Sequence, residues 1–388
     1  MASYYPLILY LALGVCASVR LFSSQPWTQK AEKVLLVCAA VFYCLRFTIG
    51  PDLPTYISAF NRVTSIVRDA LTYDTQRNIG FNALLYIGKY WIGSYSKFVL
   101  LTNVLFWGLV SITILKNSNS AVVSLLLLTG SGVMEVYYGN ALRQSLAMAV
   151  FLFAFYRYIP KRQYWRYELW MIVAVSLHEI AAVAMLVPLV AQYVNKHPHP
   201  TQLLKFYSII SAIGILVGFF FIKVLPPIAQ KYVWGYGPLM HAMIYFCAPD
   251  FSVIGLAMEI CLGIAAMFLY YVSDQRDEFT KVQMAVFLMT LPLYFCLMGY
   301  SLASRICDFI QIVEVVLFAN LLVSIPKVRM KVLGFAGVLA LNAVLLFVDV
   351  RSRISAVEPM YQTLGRETNS YIYIFDPDVP QADTNLVG

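Results

Sequence analysis

Ten long apolar runs divide this chain, near residues 4–21, 33–49, 97–115, 120–138, 143–159, 206–225, 251–273, 282–299, 305–325 and 331–349. Each run is continuous rather than alternating, so each predicts a helix and not a half-buried strand. About 20 apolar residues cross a ~30 Å hydrocarbon core as a helix. Backbone groups in lipid must be satisfied within the protein, which leaves helices or closed barrels, and continuous runs exclude the barrel. The expected fold class is therefore all-α: a polytopic membrane helical bundle of about 10–11 transmembrane helices, with re-entrant or interfacial outer helices. The expected organisation is one transmembrane domain over 1–350, followed by a polar tail over 351–388.

Lysine and arginine orient the runs. The loop 22–33 holds Lys30 and Lys33 close to Arg20, the loop 160–168 holds Lys161, Arg162 and Arg166, and the loop 326–331 holds Lys327, Arg329 and Lys331. All three are expected on the cytoplasmic side. The N-terminus, the long loop 50–96 and the acidic tail then fall outside. The first run has no basic residue before it and no cleavage pattern, so it reads as a retained span. A further apolar stretch, 167–194, disturbs the parity, because a single crossing there puts Lys327 to Lys331 outside. Two solutions remain. The stretch is a re-entrant hairpin bent near His178-Glu179, or an extra crossing hides in 226–250. The second segment carries Pro226, Pro227, Gly235, Gly237 and Pro238 and suits an outer loop, so the hairpin is preferred.

The loop 50–96 has helical periodicity of its own. Tyr56, Ile57, Phe60, Val63, Val67 and Leu71 recur at helical spacing, with Asn61, Arg62, Arg68 and Asp69 between them. A second piece, Phe81 to Ile92, is apolar and short for a span. Both read as interfacial or re-entrant helices covering a site.

Composition agrees with a lipid solvent. Of 388 residues 60% are hydrophobic and 12% charged, against about 25% charged in soluble domains. The net charge of +8 is spread over short loops, with no basic stripe, so no nucleic-acid partner is expected. The seven cysteines have no ligand spacing. There is no HExxH, Walker A or G-x-S-x-G motif, so neither a cofactor nor a metal is expected.

A few polar residues sit at run ends or inside runs, where an ionisable group is costly. Arg143 opens a run at its outer end, where a fixed guanidinium and a helix N-terminus together suit a diphosphate; the alternative is an arginine snorkelling at the membrane edge. His178 and Glu179 lie inside an apolar stretch; the imidazole exchanges protons near neutral pH, or the pair simply fixes a bend. Arg305 repeats the outer-edge position, with Asp308 three residues on as a binding group or a salt-bridge partner. Asp52 is a base or sugar-orienting group, or the cap of the helix that follows, and the capping reading leads. Asn140, Gln144 and Tyr56 join Glu179 and Asp308 as substrate-binding candidates. Tyr236 does so from the aromatic loop of Tyr232, Trp234 and His241, where a plain interfacial role competes.

The segments Asn140-Ala-Leu-Arg-Gln-Ser-Leu-Ala147 and Ser176-Leu-His-Glu-Ile-Ala-Ala182, separated by a basic loop, resemble the EpsG family of Wzy-like bacterial polysaccharide polymerases. Gly50-Pro-Asp-Leu-Pro-Thr-Tyr56, Asn78-Ile-Gly-Phe-Asn82 and Ser304-Arg-Ile-Cys-Asp-Phe309 resemble its other elements, so the likeness covers about 50–325. Two positions depart from the pattern. Glu179 stands where a lysine is common, and Asn78 to Phe81 lacks a frequent acidic residue. The resemblance implies a glycosyltransferase of the inner membrane, acting at its outer face. It joins undecaprenyl-diphosphate-linked oligosaccharide repeat units into O-antigen, capsule or exopolysaccharide. It implies membrane lipid, a chain-length regulator and a flippase of the same pathway as partners. His178, Arg143, Arg305 and Asp52 would be catalytic, the arginines facing the departing diphosphate and His178, then Asp52, taking the proton. A lipid-linked oligosaccharide flippase or transporter and a polyprenyl-phosphate-sugar-dependent glycosyltransferase are the rivals. A flippase would carry its charges along a central path in both halves, whereas here they gather near one face.

Overall fold

The computed structural model describes residues 5–23, 26–47, 52–71, 78–131, 133–138, 141–197, 200–232, 246–247, 249, 251–363 and 372–373. The described chain is a helical membrane bundle, and a helix lies at each of the ten expected runs. The helices are α1 (Tyr5–Phe22), α2 (Pro26–Cys44), α3 (Leu53–Arg62), α4 (Ile66–Leu71), α5 (Ile79–Ile87), α6 (Tyr95–Asn117), α7 (Ala121–Gly130), α8 (Leu142–Tyr158) and α9 (Tyr164–Leu177). They continue as α10 (Val187–Lys196), α11 (Pro200–Tyr232), α12 (Val253–Val272), α13 (Glu278–Leu288), α14 (Thr290–Leu297), α15 (Leu302–Gln311), α16 (Glu314–Val323) and α17 (Val328–Thr363). Two-residue strands β1 (Arg46–Phe47) and β2 (Ile372–Tyr373) pair antiparallel.

Five helical stretches are by themselves long and apolar enough to span: Tyr95–Asn117, Lys205–Lys231, Val253–Val272, Glu278–Leu297 and Val328–Val348. The α15–α16 pair, bent by 48° at Ile312-Val313, makes a sixth if counted as one. The other expected runs, at α1, α2, α7 and α8, are shorter or more polar. Two of them are shielded from lipid by protein. Every residue of α7 is buried, as are most of α8 and nearly all of α16. These three form the centre. Around them, α1, α11, α12 and α17 turn Leu11, Val15, Leu216, Phe219, Ile264 and Leu333 outward, as lipid contact requires.

One end of the bundle is tied together by polar bonds and carries the basic loops. Glu32 accepts from Arg20 Nε at 3.1 Å and from the Ser120 hydroxyl at 2.7 Å. Asn320 clasps the α6–α7 turn, accepting from Asn119 N at 2.6 Å and donating to the Asn117 carbonyl at 2.9 Å. Asp274 N donates to the Ser324 carbonyl at 3.2 Å, and Arg162 pairs with Glu278 at 2.5 Å. Lys30 and Lys33 near the start of α2, Lys161 to Arg166, and Lys327 to Lys331 at the start of α17 thus share this end.

The stretch 167–194 is a hairpin. α9 rises from the basic end, the chain breaks at His178, and a 3-10 segment (Glu179–Leu186) runs back beside α9 into α10. The Tyr167 hydroxyl pins the two arms by donating to the Ala184 carbonyl at 2.8 Å. The arm changes from 3-10 to α-helix where Pro188, which has no N–H to give, sits in the first turn of α10.

Several boundaries differ from expectation: α2 already begins at Pro26, inside the loop expected over 22–33. The outer loop placed at 226–250 begins later, because α11 continues through Pro226 and Pro227 to Tyr232. Further back along the helix, α11 packs closely on α14, where a Cβ added to Gly214 would come within 2.8 Å of the Pro292 carbonyl oxygen. α17 also continues past its apolar run to Thr363, so the first residues of the polar tail are helical. Finally, the amphipathic run 56–71 is two helices, α3 and α4, separated by Val63 to Ser65. Asp69 accepts from the backbone N–H groups of Thr64 and Ser65 at 2.5 and 2.8 Å, which starts α4 anew. Lys89 closes α3 by donating to the carbonyls of Asn61 and Val63 at 2.6 and 2.8 Å. The loop is therefore a knitted unit with its apolar face, Tyr56, Ile57, Phe60 and Val63, buried.

Candidate functional site

At the end opposite the basic loops, five separate segments converge. Arg143 lies in the first turn of α8 and Arg305 in the first turn of α15, two helix starts that face the same direction. Gln144 joins them, its side-chain amide donating to the Arg305 carbonyl at 3.1 Å. The knitted outer loop adds Asp52 and Tyr56 from the start of α3. The hairpin adds His178 and Glu179 from its apex, and α5 adds Asn78.

Asp52 occupies the position before α3, yet its side chain makes no capping bond. The capping reading is thereby corrected. The carboxylate belongs to the fields of Arg305 and Arg143 instead. Half-burial pushes the Asp52 carboxyl above its ordinary range, and the two guanidinium charges pull against that rise. Tyr56, buried in α3, takes a hydrogen bond from Arg143 and sits beside Asp52. α3 thus presents an acid and a phenol, four residues and one turn apart, to the same guanidinium.

His178 is 6% exposed at the hairpin apex. Its extended backbone ends α9 and starts the 3-10 arm. Its own N–H donates to the Ala174 carbonyl at 2.9 Å, and its Nδ1 accepts from Ile180 N at 3.3 Å. Nδ1 is also 3.8 Å from Glu179 Oε2. The Asn78 amide donates to that same Oε2 at 2.8 Å and to the Val175 carbonyl at 3.2 Å. Glu179 further lies in the field of Arg143, which connects the hairpin apex to the arginine cluster.

The structure therefore brings together Arg143, Arg305, Asp52, Tyr56, Gln144, His178 and Glu179. Asp308 lies one turn below Arg305, and its charge acts on two buried acids within the spans, Glu259 and Glu314. Asn140 and Tyr236 lie outside the described residues. Sequence reasoning passed over Asn78, whose role is a cross-helix amide bond with no local signature. It also passed over Glu259, which accepts from Gln311 at 2.6 Å and is 6% exposed. An acid inside an apolar run is a signal in itself, and Glu259 and Glu314 carried it. Among the described residues no three His, Cys, Asp or Glu side chains gather as a metal-binding set.

Chemically, the cluster offers two fixed cations, a carboxylate between them, a phenol and an imidazole, at the mouth of an apolar bundle. The guanidiniums suit a polyanion. The imidazole and the carboxylate suit proton transfer.

The sequence profile of the EpsG family matches residues 34–362, most of the chain. No curated protein and no solved structure matches it.

Proposed function

The chain belongs to the EpsG family, and from that premise we propose that it polymerises lipid-diphosphate-linked oligosaccharides. Membership supports a polysaccharide-polymerase role in general; the substrate and the roles that follow are our own reading. The observation that carries it is the convergence of Arg143 and Arg305 on one carboxylate from two helix starts.

In this reading the donor is a growing glycan on undecaprenyl diphosphate. The diphosphate lies against Arg143 and Arg305, and the lipid tail passes between helices into the membrane. The acceptor is the incoming lipid-linked repeat unit. Its hydroxyl oxygen attacks the anomeric carbon, the bond from that carbon to the diphosphate oxygen breaks, and the electron pair leaves with the diphosphate. Negative charge grows on the leaving group during the step. Fixed guanidiniums therefore stabilise the transition state more than the ground state. The proton of the acceptor hydroxyl goes to His178, with Asp52 as the second candidate base. Tyr56 keeps the Arg143 fork aimed. No nucleotide is consumed, because the diphosphate already activates the sugar. We place the site at the outer face of the cytoplasmic membrane, since lysine- and arginine-rich loops collect at the opposite end.

The test is a binding and turnover comparison in nanodiscs. Our reading expects repeat units on a lipid diphosphate to bind and react, and the same glycans on a lipid monophosphate to bind more weakly. Arg143→Ala should lower kcat on the order of 10²–10³-fold, the usual loss for one donor facing developing charge. Equal use of the monophosphate would favour a polyprenyl-phosphate-sugar transferase instead. Movement of the lipid across a vesicle bilayer without elongation would favour a flippase.

A further inference from the structure

His178 Nδ1 faces two partners that it cannot serve at once. The Ile180 N–H, at 3.3 Å, needs a lone pair on Nδ1. The Glu179 carboxylate, with Oε2 at 3.8 Å, needs a proton there. Each contact selects a different neutral imidazole. With Ile180 as partner the ring proton is on Nε2, so Nε2 donates and cannot accept. With Glu179 as partner the ring proton is on Nδ1, and the Nε2 lone pair is left to take a proton. Only the second form is a base at Nε2.

We infer that Glu179, held in place by Asn78, is a positioning residue that selects the base-competent tautomer of His178. This rests on the role given to His178 above. Three observations carry it. The Ile180 contact, at 3.3 Å, is a long N–H bond; the Glu179 carboxylate stands farther off, at 3.8 Å, and becomes a charge-assisted partner once that gap closes. Ile180 N–H is a first-turn donor of the 3-10 segment that His178 caps; Ile180 is partly exposed, so water can take over as acceptor when the imidazole turns to Glu179. Finally, Asn78 commits its amide nitrogen to two acceptors, Glu179 Oε2 at 2.8 Å and the Val175 carbonyl at 3.2 Å. Its orientation is fixed from both sides, and it holds the same carboxylate oxygen that faces the imidazole.

Glu179 itself is 58% exposed, so without Asn78 its side chain would sample solvent. Closing the remaining gap to Nδ1 takes about 1 Å of side-chain motion, and hydrogen bonds of catalytic groups commonly tighten on substrate binding. The charged groups near the pair are Arg143 from α8 and, beyond it, Asp52 from the outer loop and Arg305 from α15. Burial pushes the Glu179 carboxyl up, but the neighbouring His178, the Asn78 bond and Arg143 together hold it below its ordinary value, so it is ionised, as the selection requires.

The experiment is nitrogen NMR of histidine-labelled full-length protein in nanodiscs. The chain has four histidines, and the His178→Asn variant assigns the signals of His178. Wild-type neutral His178 should show a substantial Nδ1–H population. Glu179→Ala and Asn78→Ala should shift it toward Nε2–H. Asn78→Asp, which sets carboxylate against carboxylate, should shift it at least as far. In turnover, Asn78→Ala should lower kcat about tenfold with KM little changed. It should also move the acid limb of the pH profile to lower pH, as expected when a carboxylate beside an imidazole is loosened. An unchanged tautomer ratio in both alanine variants overturns the inference. The NMR readout needs no substrate, so a tautomer shift in a protein that fails to elongate glycans would count against the polymerase reading and not against the positioning role.

Discussion

Replacing Gly80 with alanine strikes the site from a residue that touches none of its chemistry. Gly80 lies in the first turn of α5, two residues after Asn78, where α5 crosses α9. A Cβ there would stand 2.8 Å from the Ser176 carbonyl oxygen and 3.0 Å from its carbonyl carbon. Ordinary contact begins at 3.4 Å, so the two helices must part by about 0.6 Å. The Ser176 hydroxyl can rotate away, but the backbone of α9 cannot. The Asn78–Glu179 bond spans this seam, and the same displacement takes it from 2.8 Å to about 3.4 Å, beyond the ordinary range. Overpacking of this kind costs about 1–3 kcal/mol of stability. A charge-assisted hydrogen bond contributes about 1.5–3 kcal/mol. Lengthening the bond forfeits part of this contribution, so kcat should drop by no more than the roughly tenfold loss expected when Asn78→Ala removes it. Thermal unfolding in nanodiscs and initial rates of glycan elongation measure the two effects. Gly108→Ala and Gly337→Ala are the controls, because an added Cβ meets nothing within 4 Å at either position. Each should leave the rate unchanged and leave stability the same or up to about 1 kcal/mol higher, since alanine is the better helix former. A Gly80→Ala protein with wild-type stability and rate would refute the reasoning, as would equal losses in the controls.

Arg143→Lys keeps the charge but loses the planar fork, so it should recover only part of the Arg143→Ala loss in elongation rate. Asp52→Asn should lower turnover while stabilising the fold at neutral pH. Burial raises the Asp52 carboxyl in the folded state, so its contribution is favourable below the unfolded value and is lost as pH rises through the folded one. The Tm gain of the variant should therefore appear near pH 7 and vanish in acid. Glu32→Ala, at the opposite end, leaves Arg20 and the Ser120 hydroxyl without their carboxylate. It should cost about 3–5 kcal/mol of stability, the range for breaking a buried pair, and leave the KM of the surviving folded enzyme unchanged.

The membrane class and the places of the ten helices were legible in the chain because apolar runs have no other solvent than lipid. The hairpin was legible through an indirect signal. A stretch that returns to its own side keeps Lys327, Arg329 and Lys331 with the other basic loops without an extra crossing in 226–250, and the His178-Glu179 break marks where it turns. Asp52 shows the limit of local rules. An aspartate before a helical run reads as a cap, but the field of two arginines from distant helix starts draws it elsewhere. α11 shows the same limit, since Pro226 and Pro227 signal a loop, yet the helix runs through both to Tyr232. Which residues would meet was not legible. The bond from Asn78 to Glu179 depends on how α5 crosses α9, and nothing near Asn78 in the chain encodes that crossing.

The central claim is that this arginine-lined site joins glycans at the expense of a lipid diphosphate. Its most direct test is reconstitution of the purified protein with synthetic undecaprenyl-diphosphate-linked repeat units and no nucleotide, with products resolved by size. The account predicts a ladder of glycans longer by whole repeat units, with release of undecaprenyl diphosphate, and no ladder from the Arg143→Ala protein. Intact starting material after incubation with folded, substrate-binding wild-type protein would contradict it.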